Sequence, residues 1–230
     1  MRSRRGAIAV LMGVALLGGA IYVLGWSTIL SVKKIEITGT SRLGIIQQSM
    51  AASSGHLAVG KPLARVNVRV LNRTLSDISW VATESVHRNW RTGVVQIQVT
   101  ERTPIAYFAT GTAQRTYLDE NGVQFQTPEL LQKLPLITFA TNDDQAKRSV
   151  ARLLSLAPAD FILGLQGVHV SSSGFIEMQV SLTGKALIVR WGSDQDIATK
   201  IKVFRALYAL PENSKATTYD VSAPTAPITK

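Results

Sequence analysis

The sequence contains no cysteine among its 230 residues. This absence excludes disulfide bonds, thiol catalysis, cysteine-ligated zinc and iron–sulfur clusters. Histidine is scarce as well: His56, His87 and His169 lie far apart in the sequence and in no metal-ligand spacing. The pattern therefore predicts no metal and no cofactor, and it predicts a core that is stabilised by packing alone.

Charged residues are missing from a long stretch near the N-terminus. Three arginines within the first five residues precede an uncharged run from Gly6 to Trp26, and the next charged residue is Lys33. About twenty apolar residues in a helix span a hydrocarbon core of about 30 Å, and flanking bases favour the cytoplasmic side. The pattern predicts a cytoplasmic tail over residues 1–5, a transmembrane helix over 6–30 and an extracytoplasmic remainder.

A cleaved signal peptide is the alternative interpretation of this stretch. Signal peptides have a shorter apolar region of about 7–15 residues, followed by a cleavage site between small residues. The run here is longer, its end carries no A-x-A pattern, and Tyr22 and Trp26 fit an interfacial aromatic anchor. We therefore interpret the segment as an uncleaved, single-pass anchor in the cytoplasmic membrane.

Acidic residues are few in the part of the chain that follows this segment. Residues 31–102 hold ten Lys or Arg against four Asp or Glu, a net charge of +6, whereas residues 103–230 hold twelve against eleven. The basic part would attract anionic lipid headgroups or acidic wall polymers, at about 1 kcal/mol per base near a charged surface. Nucleic acid is a poor candidate, because the sequence has no nucleic-acid-binding motif and the domain is predicted outside the cell.

Three arginines, Arg65, Arg69 and Arg73, recur every four residues in this basic part. Two interpretations of this spacing are open. The simpler one is a solvated helix face, and the other is a basic surface that contacts lipid headgroups of the membrane or another membrane protein.

Alternation and helical periodicity predict five elements between residues 31 and 102. Val95, Ile97 and Val99 alternate with polar residues, which indicates a half-buried strand, and Asn67 is a good N-cap for a short helix. The predicted order is a strand (Val32–Thr38), a helix (Leu43–Ala52), a second helix from Asn67 to Leu75, and two strands (Trp80–Trp90 and Val94–Thr100) joined by a hairpin loop at Arg91–Gly93.

The second half of the chain has the pattern of a mixture of strands and helices. Asn121-Gly122 favours a type I′ turn between two strands. Ser193 and Asp196 approximate a capping box at the start of a long helix, with Lys200 off its apolar stripe. The other predicted elements are a helix at Asp143–Leu156, strands at Leu134–Phe139, Leu165–Val170, Phe175–Leu182, Ala186–Trp191 and Thr218–Ser222, and a flexible C-terminal tail over 224–230.

No catalytic constellation stands out in the sequence. It has no G-x-S-x-G elbow, no H-E-x-x-H motif and no phosphate-binding loop. Its acidic pairs, such as Asp119-Glu120 and Asp143-Asp144, fall at a predicted turn or helix start, where structural roles are typical. The chain is therefore predicted not to be an enzyme and to bind no small-molecule substrate.

Several short motifs, taken in order, resemble those of one protein family. Val99–Ala106 resembles the V-x-E-R-x-P-x-A junction that closes the POTRA domain of the bacterial cell-division family FtsQ/DivIB. The other matching motifs are the V-x-x-I-x-I-x-G opening at Val32–Gly39, the Gly60–Leu63 turn, Trp80-Val81 at the start of the hairpin, and the hairpin Tyr117–Phe125. The basic, cysteine-free extracytoplasmic part predicted after residue 30, with its D-V-S-x-P ending, is similar to actinobacterial members.

This resemblance implies an α+β fold behind a single N-terminal transmembrane helix. A POTRA domain of order β-α-α-β-β would occupy residues 31–102, and a C-terminal mixed α/β domain on a mainly antiparallel sheet, the FtsQ-type β domain, would occupy 103–223. The implied function is a non-catalytic bitopic scaffold of the divisome at the division septum, which regulates septal peptidoglycan synthesis. The implied partners are FtsB- and FtsL-type bitopic division proteins, with the septal synthase complex as a further candidate.

The resemblance also assigns a partner-binding surface, because the family binds its partners along the C-terminal edge of its sheet. A free strand edge can pair with a strand of another chain. The residues assigned to this edge are Tyr219, Asp220, Val221 and Ser222, with Lys185 and Trp191 on the neighbouring predicted strand as additional contacts. For Trp191, packing in the core is an alternative of equal weight.

Two other functions stay open from the sequence. A POTRA-containing secretion or assembly factor usually carries several POTRA repeats or an outer-membrane barrel, whereas this chain has one such unit. A membrane-tethered extracytoplasmic enzyme would need a convergent polar site, such as two carboxylates that line a pocket in the second domain.

Overall fold

The computed structural model describes residues 11–19, 22, 30–108, 115–129, 131 and 133–230. The chain divides into two compact units, Met1–Arg102 and Thr103–Lys230. Residues 11–19 are helical, and most of the remaining positions of the predicted membrane segment, residues 6–30, lie outside the described residues. Within the described ranges, no helix combines the length and the apolar character that crossing a membrane requires.

The first unit has the predicted order of strand, helix, helix, strand and strand. Its elements are β1 (Lys34–Thr38), α1 (Leu43–Ala52), α2 (Val68–Ser76), β2 (Val81–Asn89) and β3 (Val94–Glu101). The three strands form one sheet in the order β1-β3-β2, with β1 parallel and β2 antiparallel to β3. This is the arrangement expected of a POTRA domain, so the predicted β-α-α-β-β order is confirmed.

The core of this unit follows the two periodicities of its sequence. Val95, Ile97 and Val99 alternate along β3 and are almost fully buried, as predicted. Leu71 and Leu75, four residues apart on α2, are also fully buried. One sheet face therefore packs against the apolar stripe of the helices, while the polar alternates of β3 face solvent.

Asn67 caps α2 as predicted, and this cap gives a first testable expectation. Its side-chain oxygen accepts a hydrogen bond from the backbone N–H of Val70 at 3.2 Å. We expect Asn67→Ala to lower the free energy of unfolding of this unit by about 1 kcal/mol, because one N-terminal amide of the helix loses its acceptor. Urea unfolding measures this loss; Asn67→Asp, which keeps an acceptor, should restore most of it, and equal losses in both variants would contradict the capping role.

The second unit is a mixed α/β domain on a mainly antiparallel sheet. Its strands are β4 (Pro104–Phe108), β5 (Thr116–Asp119), β6 (Gln124–Gln126), β7 (Leu136–Phe139), β8 (Leu165–Val170), β9 (Ile176–Leu182), β10 (Lys185–Gly192), β11 (Thr218–Asp220) and β12 (Ile228–Thr229), and its helices are α3 (Asp144–Leu156), α4 (Ala159–Gly164) and α5 (Ile197–Ala209). The nine strands described form one sheet in the order β12-β11-β10-β9-β8-β7-β4-β5-β6.

An aromatic cluster fills the core beneath the C-terminal half of this sheet. The ring of Phe204 on α5 meets the rings of Phe161 and Tyr219 edge-on, with centroids 5.8 and 5.4 Å apart. The ring of Trp191 on β10 lies 6.1 Å from that of Phe161. These contacts attach α4 and α5 to one face of β10 and β11, since aromatic edge-to-face pairs add to the free energy gained by burial.

The hairpin between β5 and β6 does not contain the predicted type I′ turn. That turn needs a positive φ at both central residues, and of Asn121 and Gly122 only Gly122 has one, at +79°. The carboxylate of Asp119 instead accepts hydrogen bonds from the backbone N–H groups of Asn121 and Val123, at 2.9 and 2.8 Å. Asp119 therefore holds the loop in a turn that closes with a left-handed glycine.

The predicted capping box at the start of α5 is also wrong. Asp196 occupies the N-cap position with a left-handed φ of +53°, and its side chain makes no capping hydrogen bond. Lys200, predicted to lie off the apolar stripe, is almost fully buried. Its ammonium group donates to the backbone carbonyls of Trp191 and Ser193, at 3.0 and 2.9 Å.

Candidate functional site

The assigned partner-binding residues lie at the end of the sheet where β11 runs parallel to β10. Thr218 is paired in register with Ile188, and Asp220 with Arg190. The ladder continues one residue beyond β11, because the N–H of Val221 donates to the carbonyl of Arg190 at 2.9 Å. One side of β11 is therefore used in binding β10, and only its other side could accept a further strand.

That other side is covered by the last residues of the chain. The N–H groups of Thr217 and Thr218 donate to the carbonyl of Lys230, at 2.8 and 3.0 Å, and the N–H of Lys230 donates to the carbonyl of Thr218 at 2.9 Å. Ile228 and Thr229 form β12, which is antiparallel to β11. The expectation of a flexible tail over 224–230 is therefore wrong, since the tail turns back and pairs with the strand predicted as the edge.

The cover strand β12 is short and has few side-chain contacts. It contains two residues, and Pro227 immediately precedes it, so the backbone has no N–H at that position. The side chain of Ile228 is exposed. The hydroxyl of Thr229 donates to the side-chain oxygen of Asn213 at 3.0 Å. Asn213 and Lys230 thus contribute to this edge although the sequence pattern gives no sign of it.

Three of the six assigned contact residues have buried side chains. Trp191 is 0% exposed, and Tyr219 and Val221 are also almost fully buried. The hydroxyl of Tyr219 donates to the carbonyl of Asn213 at 3.2 Å, and burial raises the pKa of this phenol. These three side chains therefore stabilise the strand from within, and core packing is the correct alternative for Trp191.

The other three assigned residues reach solvent at least in part. Asp220 accepts hydrogen bonds from the N–H and the hydroxyl of Ser222, at 3.0 and 2.6 Å. Lys185 donates to the carbonyl of Ser214 at 2.6 Å. Side chains available to a partner at this edge are therefore Asp220, Ser222 and Lys185, beside the backbone of β11.

A polar row that the sequence did not indicate crosses the open face of the sheet at this edge. Residues of four neighbouring strands stand in register, His169, Glu177, Arg190 and Asp220. The guanidinium of Arg190 lies 3.5 Å from the carboxylate of Glu177. Only the strand register, which alternation within one strand cannot give, brings these residues together.

The three arginines of the basic part do not form one stripe. Arg65 belongs to a short 3-10 helix, Leu63–Arg65, and lines a groove with His56 and Lys61. Arg69 and Arg73 lie on α2 and line a different, shallow groove that also contains Asp77. All three side chains are exposed, so both interpretations of a basic surface are physically possible, but not as a continuous one.

The acidic and basic residues at the junction make contacts within the first unit. Glu101 forms an ion pair with Arg42 at 2.7 Å and accepts a hydrogen bond from the hydroxyl of Thr40. Arg102 donates to the carbonyl of Ser79 at 3.1 Å. In the part of the chain that the structure describes, no three His, Asp or Glu side chains are close enough to hold a metal ion.

Comparison with known proteins agrees with this two-domain architecture. Residues 30–102 match the family model of the FtsQ-type POTRA domain, and residues 106–221 match that of the C-terminal domain of cell division protein FtsQ/DivIB. A POTRA unit followed by this C-terminal domain defines a class of bacterial division proteins. The chain belongs to the FtsQ/DivIB family, and its role is in cell division.

Individual relatives give the same result over nearly the whole chain. Cell division protein FtsQ of Streptomyces griseus is 29% identical over 205 residues, which cover 84% of this chain and 95% of that protein. FtsQ of Streptomyces venezuelae is 29% identical over 234 residues, covering 96% and 82%. These relatives fit the predicted similarity to actinobacterial members. The extracytoplasmic domain of DivIB from Geobacillus stearothermophilus aligns with 49% of this chain and 96% of its own length, at 18% identity and a TM-score of 0.35.

Proposed function

We propose that this chain is a non-catalytic, membrane-anchored scaffold that holds other division proteins at the septum and thereby regulates septal peptidoglycan synthesis. The apolar run within residues 6–30 is the anchor, with residues 1–5 in the cytoplasm and both folded units outside it. The partners are FtsB- and FtsL-type bitopic division proteins, with the septal synthase complex as a further one. Anchoring in one membrane raises the effective concentration of such partners.

A single observation carries the proposal: two residues of the chain's own tail cover the edge of β11. We propose that a partner strand binds β11 in place of β12. The outer edge of β12 offers a ladder of only two residues, whereas departure of β12 frees the backbone from Thr217 to Asp220. A partner strand of ordinary length therefore gains more hydrogen bonds by replacing β12 than by adding outside it.

Deleting residues 224–230 tests this strand exchange. The tail competes with the partner, and its displacement costs the hydrogen bonds that Lys230 makes with Thr217 and Thr218. At about 1 kcal/mol for each of two or three such bonds, we expect the deletion to tighten binding about 30- to 150-fold. The measurement is the affinity of the full-length and the shortened chain, both in nanodiscs, for purified extracytoplasmic segments of FtsB- and FtsL-type proteins.

A proline at Thr218 is the matched loss-of-binding variant. The N–H of Thr218 points away from β10 toward Lys230, so Thr218→Pro removes a donor only from the partner side. In the shortened chain we expect Thr218→Pro to weaken binding at least tenfold, and Thr218→Ala, which keeps the N–H, to change it less than threefold. Weaker binding after the tail deletion would instead place the partner outside β12, and absence of any binding would contradict the scaffold proposal.

The two other candidate functions receive less support. A secretion or assembly factor would combine its POTRA unit with further repeats or a barrel, whereas residues 106–221 match an FtsQ/DivIB domain. An extracytoplasmic enzyme would need paired acids in a pocket. Asp143 and Asp194 do line one polar groove of about 300 Å³, but they share it with serines and with the start of α3, where Asp143 caps the helix.

A further inference from the structure

The first residues of the first unit, 31–33, are hydrogen-bonded to two loops, one on each side. The N–H of Val32 donates to the carbonyl of Lys61 at 2.8 Å, and the N–H of Gly60 donates to the carbonyl of Val32 at 2.7 Å. On the other side, the N–H of Lys33 donates to the carbonyl of Gly93 at 2.8 Å. The loop after α1 and the hairpin loop after β2 therefore flank residues 31–33. We refer to residues 31–33, 56–65 and 88–93 together as the entry surface.

The entry surface is basic throughout. Its three segments contain no Asp or Glu, and their bases are Lys33, Lys61, Arg65, Arg88 and Arg91. His56, Lys61 and Arg65 line a groove of about 520 Å³ between the end of α1 and the first loop. Its described lining residues include no carboxylate. A surface of this kind attracts anions, and the nearest extended anionic surface to a membrane anchor is the lipid headgroup layer.

Each loop also carries an exposed apolar residue at its tip. Val59 is 64% exposed in the first loop, and Trp90 is 40% exposed in the hairpin loop. The guanidinium of Arg88 lies 5.2 Å from the centre of the Trp90 ring and donates to the carbonyls of Leu63 and Val66, at 3.1 and 3.0 Å. Arg88 thus holds Trp90 against the base of the first loop. An aromatic or aliphatic tip beside bases is typical of segments that lie in the membrane interface.

The position of the entry surface in the chain favours the same partner. Val32 comes two residues after the proposed anchor of residues 6–30, a reach of at most about 7 Å. We propose that the entry surface docks on the outer leaflet of the membrane, with Val59 and Trp90 at headgroup depth and its exposed bases, Lys33, Lys61, Arg65 and Arg91, on the phosphates of anionic lipids. This inference rests on the proposed membrane anchor.

The absence of native cysteine makes a depth measurement direct, because one introduced cysteine is the only site that a thiol probe labels. The variants are Val59→Cys, Trp90→Cys and, as the matched control, Ser41→Cys. Ser41 is exposed in the same unit, beyond the opposite end of β1. Each full-length chain is labelled with an environment-sensitive fluorophore and placed in nanodiscs of phosphatidylcholine, with or without phosphatidylglycerol and with headgroup-level spin-labelled lipid.

We expect the probes at positions 59 and 90 to shift to the blue and to be quenched in anionic discs, while the probe at position 41 keeps its aqueous emission. Charge reversal by Lys61→Glu in the Val59→Cys chain should lower the ratio of docked to undocked molecules by at least about fivefold. Quenching at position 59 no greater than at position 41, or equal in discs with and without anionic lipid, overturns the docking surface. Failure of all variants to incorporate into discs overturns the anchor as well, so the two proposals fail in different ways.

Discussion

Replacing Trp191 by alanine is expected to lower the free energy of unfolding of the second unit by about 3–5 kcal/mol. The indole is completely buried, its ring lies 6.1 Å from that of Phe161, and the ammonium of Lys200 lies 5.7 Å from its centre. Such a loss is a large fraction of the free energy of unfolding of an ordinary domain, about 5–15 kcal/mol. Urea unfolding, followed by far-ultraviolet circular dichroism, measures it.

Trp191→Phe is the control for this prediction. Its loss should be much smaller than that of Trp191→Ala, because the buried indole N–H has no hydrogen-bond partner among the described residues and a phenyl ring keeps most of the apolar contact. If Trp191 were instead a contact for a partner, Trp191→Ala would leave stability unchanged and abolish partner binding in a folded chain. That outcome would contradict the burial-based account of this side chain.

Replacing Lys200 by methionine is the second large expected effect, a loss of about 2–4 kcal/mol. Methionine fills a similar volume, but it leaves the carbonyls of Trp191 and Ser193 without the ammonium donor. A buried acceptor that loses its hydrogen-bond donor costs about 1–3 kcal/mol, the partly buried carbonyl of Ser193 costs less, and removal of a buried charge offsets part of the total. Lys202→Met, at an exposed position of the same helix, should change the free energy of unfolding by less than about 0.5 kcal/mol.

The pH dependence of the Lys200 effect has a defined sign. Burial lowers the pKa of Lys200 below 10.5, and the carboxylates of Asp196 and Asp194 oppose this shift. The unfolded chain therefore holds more protons at this site than the folded chain as the pH rises through the folded pKa toward 10.5, and stability increases with pH in that window. The stability advantage of the parent over Lys200→Met should grow there; a shrinking advantage would contradict the lowered pKa.

The regular elements were predictable where one periodicity extends over several turns or residues. In β3 the alternation of apolar residues, and in α2 their four-residue spacing, predict the side chains that the structure buries. The two strands after α4 were likewise predicted to within one residue of their limits. In these segments local pattern and tertiary packing agree, so the sequence suffices.

The features that were missed depend on contacts between distant segments. The helical periodicity of α5 places Lys200 with the other bases, on the polar face of the helix. Its two acceptors, the carbonyls of Trp191 and Ser193, belong to the end of β10 and the loop after it, which the periodicity of the helix does not reveal. The two-residue strand β12 has no periodicity, and prolines before it favour an irregular segment. The register that aligns Arg190 with Asp220 is likewise a property of the sheet, since a single strand contains no information about its neighbour.

The burial of Tyr219 and Val221 was missed for the same reason. We expected their side chains to contact a partner at the sheet edge, but both are buried in the core, where the ring of Tyr219 packs against Phe204 of α5. In the proposed strand exchange, partner recognition would therefore rest on the backbone of β11 and on the side chains of Asp220, Ser222 and Lys185. Such recognition tolerates changes in partner sequence, because main-chain hydrogen bonds supply the affinity.

The exchange of β12 for a partner strand is tested most directly by amide hydrogen exchange of the full-length chain in nanodiscs. The rates are compared before and after addition of the FtsB- and FtsL-type segments. We predict that the amide of Lys230 loses protection when the partner binds, because its acceptor is the carbonyl of Thr218, while the amide of Thr218 stays protected because its acceptor changes from Lys230 to the partner. Increased protection of Lys230, or unchanged rates at both amides with the partner bound, would contradict the account.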